Sequence, residues 1–171
     1  MRTALDEIGI HGIREILNKG WMTHDAMWFY HCLQECGIEM TNRINTAAVR
    51  SMAAIEIRRI CRMLGMEGTR IDCFDDLVII LKAGLAIIKA DFIHIDYSFP
   101  EANLIRWETR QCFAHDGITR IGAISGYQCG IFERIKAWLE GLGVRSVFSP
   151  AIEGCLMHTH GLCRGEIRVD L

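Results

Sequence analysis

Apolar residues recur at helical spacing through the first half of the chain, and glycines punctuate them. The pattern predicts a helix capped by Thr3 or Asp6 that runs to Asn18 and closes at Lys19-Gly20. A second, capped by Thr23, covers 24–36 and ends at Gly37. The third and longest begins at Thr41, carries Ile44, Ala48, Met52, Ile55 and Cys61 at helical intervals, and stops after Leu64 at Gly65. Asp72, Asp75 and Asp76 then put negative charge where the dipole of a fourth helix favours it.

From Phe92 the period shortens to two. Ile93, Ile95, Tyr97 and Phe99 alternate with His94, Asp96 and Ser98, as in a half-buried strand. A turn at 100–103 leads to a second alternating run, Leu104 to Phe113. Ser125-Gly126-Tyr127-Gln128 matches a capping box, and a helix follows to Gly141. Three short strands are predicted to close the chain: Arg145 to Ser149, Glu153 to His158, and Cys163 to Leu171. Four helices followed by β-β-α-β-β-β, with short connections, describe an α+β fold in which an antiparallel sheet packs on helices. The change of period divides the chain into a helical half, 1–90, and a sheet half with one long helix, 91–171, of a single compact domain.

Composition narrows the function. Half of the 171 residues are hydrophobic and 23% are charged, with two prolines, which excludes a disordered chain. The net charge of −2 comes with no basic stripe, so nucleic acid is not an expected partner. The greasiest stretch, Leu77 to Ile95, is broken by Lys82, Lys89 and Asp91, so no membrane span is expected. The first residues lack the build of a secretion signal, which points to the cytoplasm. There the eight cysteines are expected to be buried, metal-bound or reactive rather than paired.

Cys129 is the most informative of them. On a helix begun at Ser125 it lies in the first turn and off the apolar face, where free N–H groups and the helix dipole favour a thiolate. It reads as a metal ligand or nucleophile, or else as a small residue packed under a loop. Cys155 and Cys163 flank Met157-His158-Thr159-His160-Gly161. One hairpin register sets the two cysteines opposite each other; the alternative sets His158 and His160 alongside Cys163. Either gives soft or borderline ligands for zinc or an iron–sulfur cluster, and the bland reading keeps them as core cysteines and solvated histidines. Cys112 or His115 supplies a fourth ligand, and His115 beside Asp116 also reads as a general base. Trp21, His24, Trp28 and Arg134 are candidate ligand-binding positions. His24, Trp28, His31 and Glu35 share one helix face, with helix-interface packing as the plainer account. The aromatic stretch Met27 to Tyr30 suggests association, such as a homodimer.

Tyr127-Gln128-Cys129-Gly130 heading a helix that ends Trp138-Leu139-Glu140-Gly141-Leu142-Gly143, then Cys155-Leu156-Met157, a glycine turn and Cys163, is similar to uncharacterised prokaryotic families. These are related to the L-2-amino-thiazoline-4-carboxylic acid hydrolases. More distantly the pattern resembles the 4-vinyl reductase domain, a small-molecule-binding α+β module. The segment Trp21-Met22-Thr23-His24-Asp25-Ala26-Met27-Trp28 resembles the helical lead-in of the uncharacterised group. The resemblance implies a hydrophobic pocket between helices and sheet, ligand or metal sensing, and hydrolysis as an alternative activity. It carries over Cys129, Cys155, Cys163 and Cys112 as site positions. The expectation is therefore a small-molecule-binding module with a Cys/His-rich metal site. The alternatives are a hydrolase using Cys129 with His115 or His24 as base, and a structural dimerisation protein.

Overall fold

The computed structural model describes residues 4–171, with side chains from residue 7 onward. Thr3 and the Asp6 side chain, named above as caps, lie outside the described residues. The predicted stops in the first half are only partly used. A single helical run, α1 (Ala4–Met63), is interrupted at Gly9 and at Gly37, where φ/ψ of 72/171° is open to glycine alone. No break occurs at Gly20. A lone glycine costs a helix about 1 kcal/mol, and Thr23, expected as a cap, instead donates its hydroxyl back to the Lys19 carbonyl at 2.7 Å.

Gly37 folds the run back on itself. Thirty-five residues of straight helix would span roughly 52 Å. Yet Trp21 and Glu56, on either side of the break, both touch the guanidinium of Arg134. A second helix, α2 (Phe74–Ile88), packs on α1, with Asp75 and Asp76 in its first turn as predicted. Arg14 and Asn18 donate to the carbonyls of Ala86 and Ile87 at its end.

Four strands form one antiparallel sheet: β1 (Ile93–Glu101), β2 (Leu104–Cys112), β3 (Arg145–Ser149) and β4 (Cys163–Asp170), in the spatial order β1-β2-β4-β3. Between β2 and β4 come α3 (Phe113–Arg120), a 3₁₀ turn at Ile124–Gly126, α4 (Gly130–Gly141) and α5 (Leu156–His160). The α+β class is as expected, with one strand fewer. The segment read as a strand from Glu153 to His158 is the short helix α5, because Cys155 O accepts from the N–H groups of His158 and Thr159 and Gly161 ends the turn in the left-handed region. The question of hairpin register around His158 therefore does not arise. The capping box at Ser125 is also unformed. Buried Asn42 holds that turn instead, donating to Gly126 O at 2.7 Å and accepting from Gln128 N at 3.1 Å.

One face of the sheet is charged and wet, with Arg106 paired to Glu166 across β2 and β4 at 2.7 Å. The other face packs on the helices. Its main core draws Ala53, Ile57 and Leu77 from the helical half together with Trp107, Trp138 and Ile167 from the sheet half. Among the described residues no helix is long and apolar enough to cross a membrane.

Candidate functional site

Between the folded-back limbs of α1, the end of α2, α3, α4 and the inner face of the sheet lies a cavity of about 530 Å³. Apolar side chains such as Met22, Phe29, Met52, Ile95 and Trp107 make up most of its wall. Its charged wall residues are Asp25, Arg120 and Arg134. Partial burial raises the Asp25 carboxyl above its ordinary pKa, with His24 and Arg134 acting in the opposite sense.

Arg134 is committed elsewhere. Its Nε and Nη2 donate to the two carboxylate oxygens of Glu56 at 2.8 and 2.5 Å, and the Trp138 indole N–H donates to the same carboxylate at 2.9 Å. The guanidinium lies over Trp21, 4.7 Å from its ring centre, and beside Trp138. A buried cation needs such a partner, so Arg134, named above as a candidate ligand-binding position, lines the cavity with its charge already paired to Glu56. Both Glu56 oxygens are thus taken up by Arg134 and Trp138. Trp21 does face the cavity. His24 and Trp28 do not: with His31 and Glu35 they form an exposed stripe, because the opposite side of the limb, Trp21, Met22, Asp25 and Phe29, lines the cavity.

The second feature adjoins the cavity. Cys112, Cys129 and Cys155 each sit at the N-cap of a helix, of α3, α4 and α5 respectively, and Cys163 opens β4. In β2 the pairing passes from Ile95↔Thr109 to His94↔Gln111, leaving Arg110 as an extra bulged residue. A bulge offsets the alternation by one. Thr109 and Cys112, three apart, thus both point inward and are buried. Cys163 pairs with Thr109 across the strands. The thiols stand close enough to act on one another electrostatically: Cys112 on Cys129, Cys155 on Cys112, and Cys163 on both Cys112 and Cys129.

Burial dominates their chemistry. It pushes the Cys129 thiol up to about 12, against the opposing pull of the Phe132 and Ile131 N–H groups, which face the sulfur without closing a capping hydrogen bond. Cys112 rises to about 11 for the same reason, opposed by the N–H groups of His115 and Ala114. The thiolate expected of a helix-start cysteine therefore loses to desolvation. Burial also raises Cys163, while Thr109 and the Trp107 indole work to lower it. Among the described residues, no three His, Cys, Asp or Glu side chains stand together as a ready-made holder for one metal ion. His158 and His160 are exposed on α5, the latter bonded to Thr159. His115 Nδ1 lies 3.0 Å from Asp116 Oδ1, so these neighbours do bond side chain to side chain. Neither is part of the cavity wall.

Sequence reasoning missed Trp107. It was visible only as one apolar position of an alternating strand. Opposite it in β4 stands Gly165, where a Cβ would come within 2.5 and 2.7 Å of the Trp107 ring. The indole lies across that gap, packed on Phe132 and Phe148, and its buried Nε1–H has no hydrogen-bond partner among the described residues.

A family model described as "Family of unknown function (DUF6125)" matches residues 6–91, the helical half through the end of α2. The four clustered cysteines lie beyond that stretch. No curated protein and no solved structure matches.

Proposed function

The chain belongs to the family of unknown function DUF6125, and we propose that it is a cytoplasmic binding module for an apolar small molecule, with a soft-metal site at the cysteine corner beside its cavity. The observation that carries this reading is the cavity itself. At about 530 Å³ it falls within the size range of small-molecule sites, and its wall has the few placed polar groups such sites use. Asp25 and Arg120 are the charges available to orient a polar end of the occupant.

For the corner, the support is the donor set, since four thiols suit zinc or an iron–sulfur cluster over harder ions. Bound there, zinc or a cluster would link β2, α4, α5 and β4 in exchange for the thiol protons. The hydrolase alternative draws less support, since Cys129 holds its proton to about pH 12 and neither His115 nor His24 lines the cavity. Exposed Ile10, Leu17, Met27 and Trp28 on α1 support homodimerisation, which light scattering would read.

Titration with anilinonaphthalene sulfonate, an apolar fluorescent probe, tests the central reading. Saturable binding at one site is expected, and Val49→Trp, which fills the cavity from its wall, should abolish it while the far-ultraviolet circular dichroism stays native. Absent or unsaturable binding to the wild-type protein would refute the cavity as a ligand site. Metal content of protein purified without oxygen tests the corner separately; substoichiometric zinc and iron would remove it.

A further inference from the structure

Apart from Asp25 and Arg120, the cavity wall holds an uncharged polar spot over Gly130, at the start of α4. Gly130 takes no positive φ, so its backbone does not call for glycine, and within a helix glycine is disfavoured against alanine. What the missing side chain leaves is room. The point a Cβ would occupy lies 3.2 Å from the Asn45 amide nitrogen, 3.5 Å from Val49 Cγ2 and 3.8 Å from the Tyr127 hydroxyl. Asn45, Val49, Tyr127 and Gly130 all belong to the cavity wall. Tyr127 is only 7% exposed. Its oxygen accepts from Gly130 N, yet among the described residues its O–H meets no acceptor. Burial raises the pKa of that hydroxyl, so it keeps its proton and stays a donor. The half-buried Asn45 amide likewise has no hydrogen-bond partner among the described residues. One turn further along α4, Arg134 has its charge paired to Glu56, so α4 adds no unpaired positive charge there. A carbonyl oxygen accepts and never donates, which suits a spot furnished with donors.

We propose that the cavity's occupant is an uncharged apolar molecule carrying a carbonyl group, whose oxygen sits over Gly130 and accepts from the Tyr127 hydroxyl and the Asn45 amide. This rests on the cavity reading above and draws on no metal. An oxygen at the Cβ point already stands within hydrogen-bond reach of Asn45, and a small shift toward Tyr127 brings in the second donor.

Acetylnaphthalene and isopropenylnaphthalene, substituted at the same ring carbon, share one shape and differ only in a carbonyl oxygen exchanged for a methylene. A wall without donors would favour the alkene by about tenfold or more, because the ketone would give up its water bonds for nothing. Displacement of anilinonaphthalene sulfonate from the full chain should show the ketone binding at least as tightly as the alkene. In Tyr127→Phe, and separately in Gly130→Ala, whose methyl takes the oxygen's place, the ketone should weaken about tenfold relative to the alkene. Infrared difference spectra of the wild-type complex should put the carbonyl stretch below its value in hexane. An alkene preference in the wild type overturns the proposal, as does a stretch at the hexane value, whether or not either variant folds. A ketone-to-alkene ratio unchanged in either folded variant overturns it too. Naphthoate bound tenfold more tightly than the ketone overturns the choice of an uncharged group. If neither naphthalene compound nor anilinonaphthalene sulfonate binds, the cavity reading falls and this inference with it. If the alkene alone binds, the cavity reading stands and the carbonyl is refuted.

Discussion

At Cys129 two effects of opposite sign meet, and their sizes decide the chemistry. A helix start draws a thiol toward ionisation, but removal from water draws it further the other way, to about 12. Cys112, at about 11, shows the same outcome. The consequence for stability follows from proton counting. Unfolded thiols ionise near pH 8.5, so the folded state holds more protons than the unfolded one between that pH and roughly 11 to 12. Stability from these groups is complete below about pH 8.5 and falls as pH rises. Urea midpoints in reducing, chelator-containing buffer should therefore decline above about pH 8.5, and Cys129→Ser should flatten the slope. A midpoint constant to pH 10 would contradict the assignment. Glu56 gives a second residue-scale expectation. Glu56→Ala strands the Arg134 cation and the Trp138 N–H, and should cost about 3 kcal/mol in denaturant titration. Glu56→Gln, which keeps an acceptor for Trp138, should cost less.

Among the elements, α1 shows how a glycine's meaning depends on what packs around it. Gly20 and Gly37 look equally able to end a helix in the sequence, yet only Gly37 adopts a positive φ. Replacing it by alanine meets no steric neighbour, so backbone strain alone should destabilise the protein, by roughly 1–3 kcal/mol. Gly20→Ala should instead be neutral or stabilising by up to about 1 kcal/mol. Thermal melts of the two variants would separate the cases, and equal effects would disprove the distinction. Alternation over eight or nine residues made β1, β2 and β4 legible, and the five-residue β3 also falls on its predicted bounds. Glu153 to His158 was not, because the N–H bonds of His158 and Thr159 to Cys155 O decide it and leave no mark on the hydrophobic pattern. The cysteines were legible as candidates by residue type alone, and among the described residues no three ligand side chains stand together. The Arg134–Glu56 pair was not, since it joins positions 78 apart whose charges read separately as solvated.

On the scale of the whole molecule, the cavity and the corner share a boundary made of Trp107, Thr109, Tyr127 and the start of α4. Tyr127 illustrates the shared wall: it stacks edge-on to Phe29 at 5.7 Å and accepts from Gly130 N at 3.2 Å, one residue beyond Cys129. An occupant that binds only the folded state should raise the melting temperature with its concentration, the gain in stability reaching about 2.7 kcal/mol at a hundredfold excess over Kd. Differential scanning fluorimetry read by intrinsic tryptophan emission would check this across a series of apolar probes. A melting temperature indifferent to every probe that binds would mean they occupy the surface instead.

Arg110 makes the strand one residue longer than its partner requires, and β1 accommodates it by skipping that position. Excising it would let the ladder run straight, bringing the former Cys112 an even count from Thr109 and leaving its sulfur turned toward the interior. Substitution leaves the count unchanged, so the type of side chain carried there is free to vary. What the aim of that cysteine depends on is arithmetic along the strand, and inserting a residue beside Arg110, without a second bulge to absorb it, would be the way to swing it out into water.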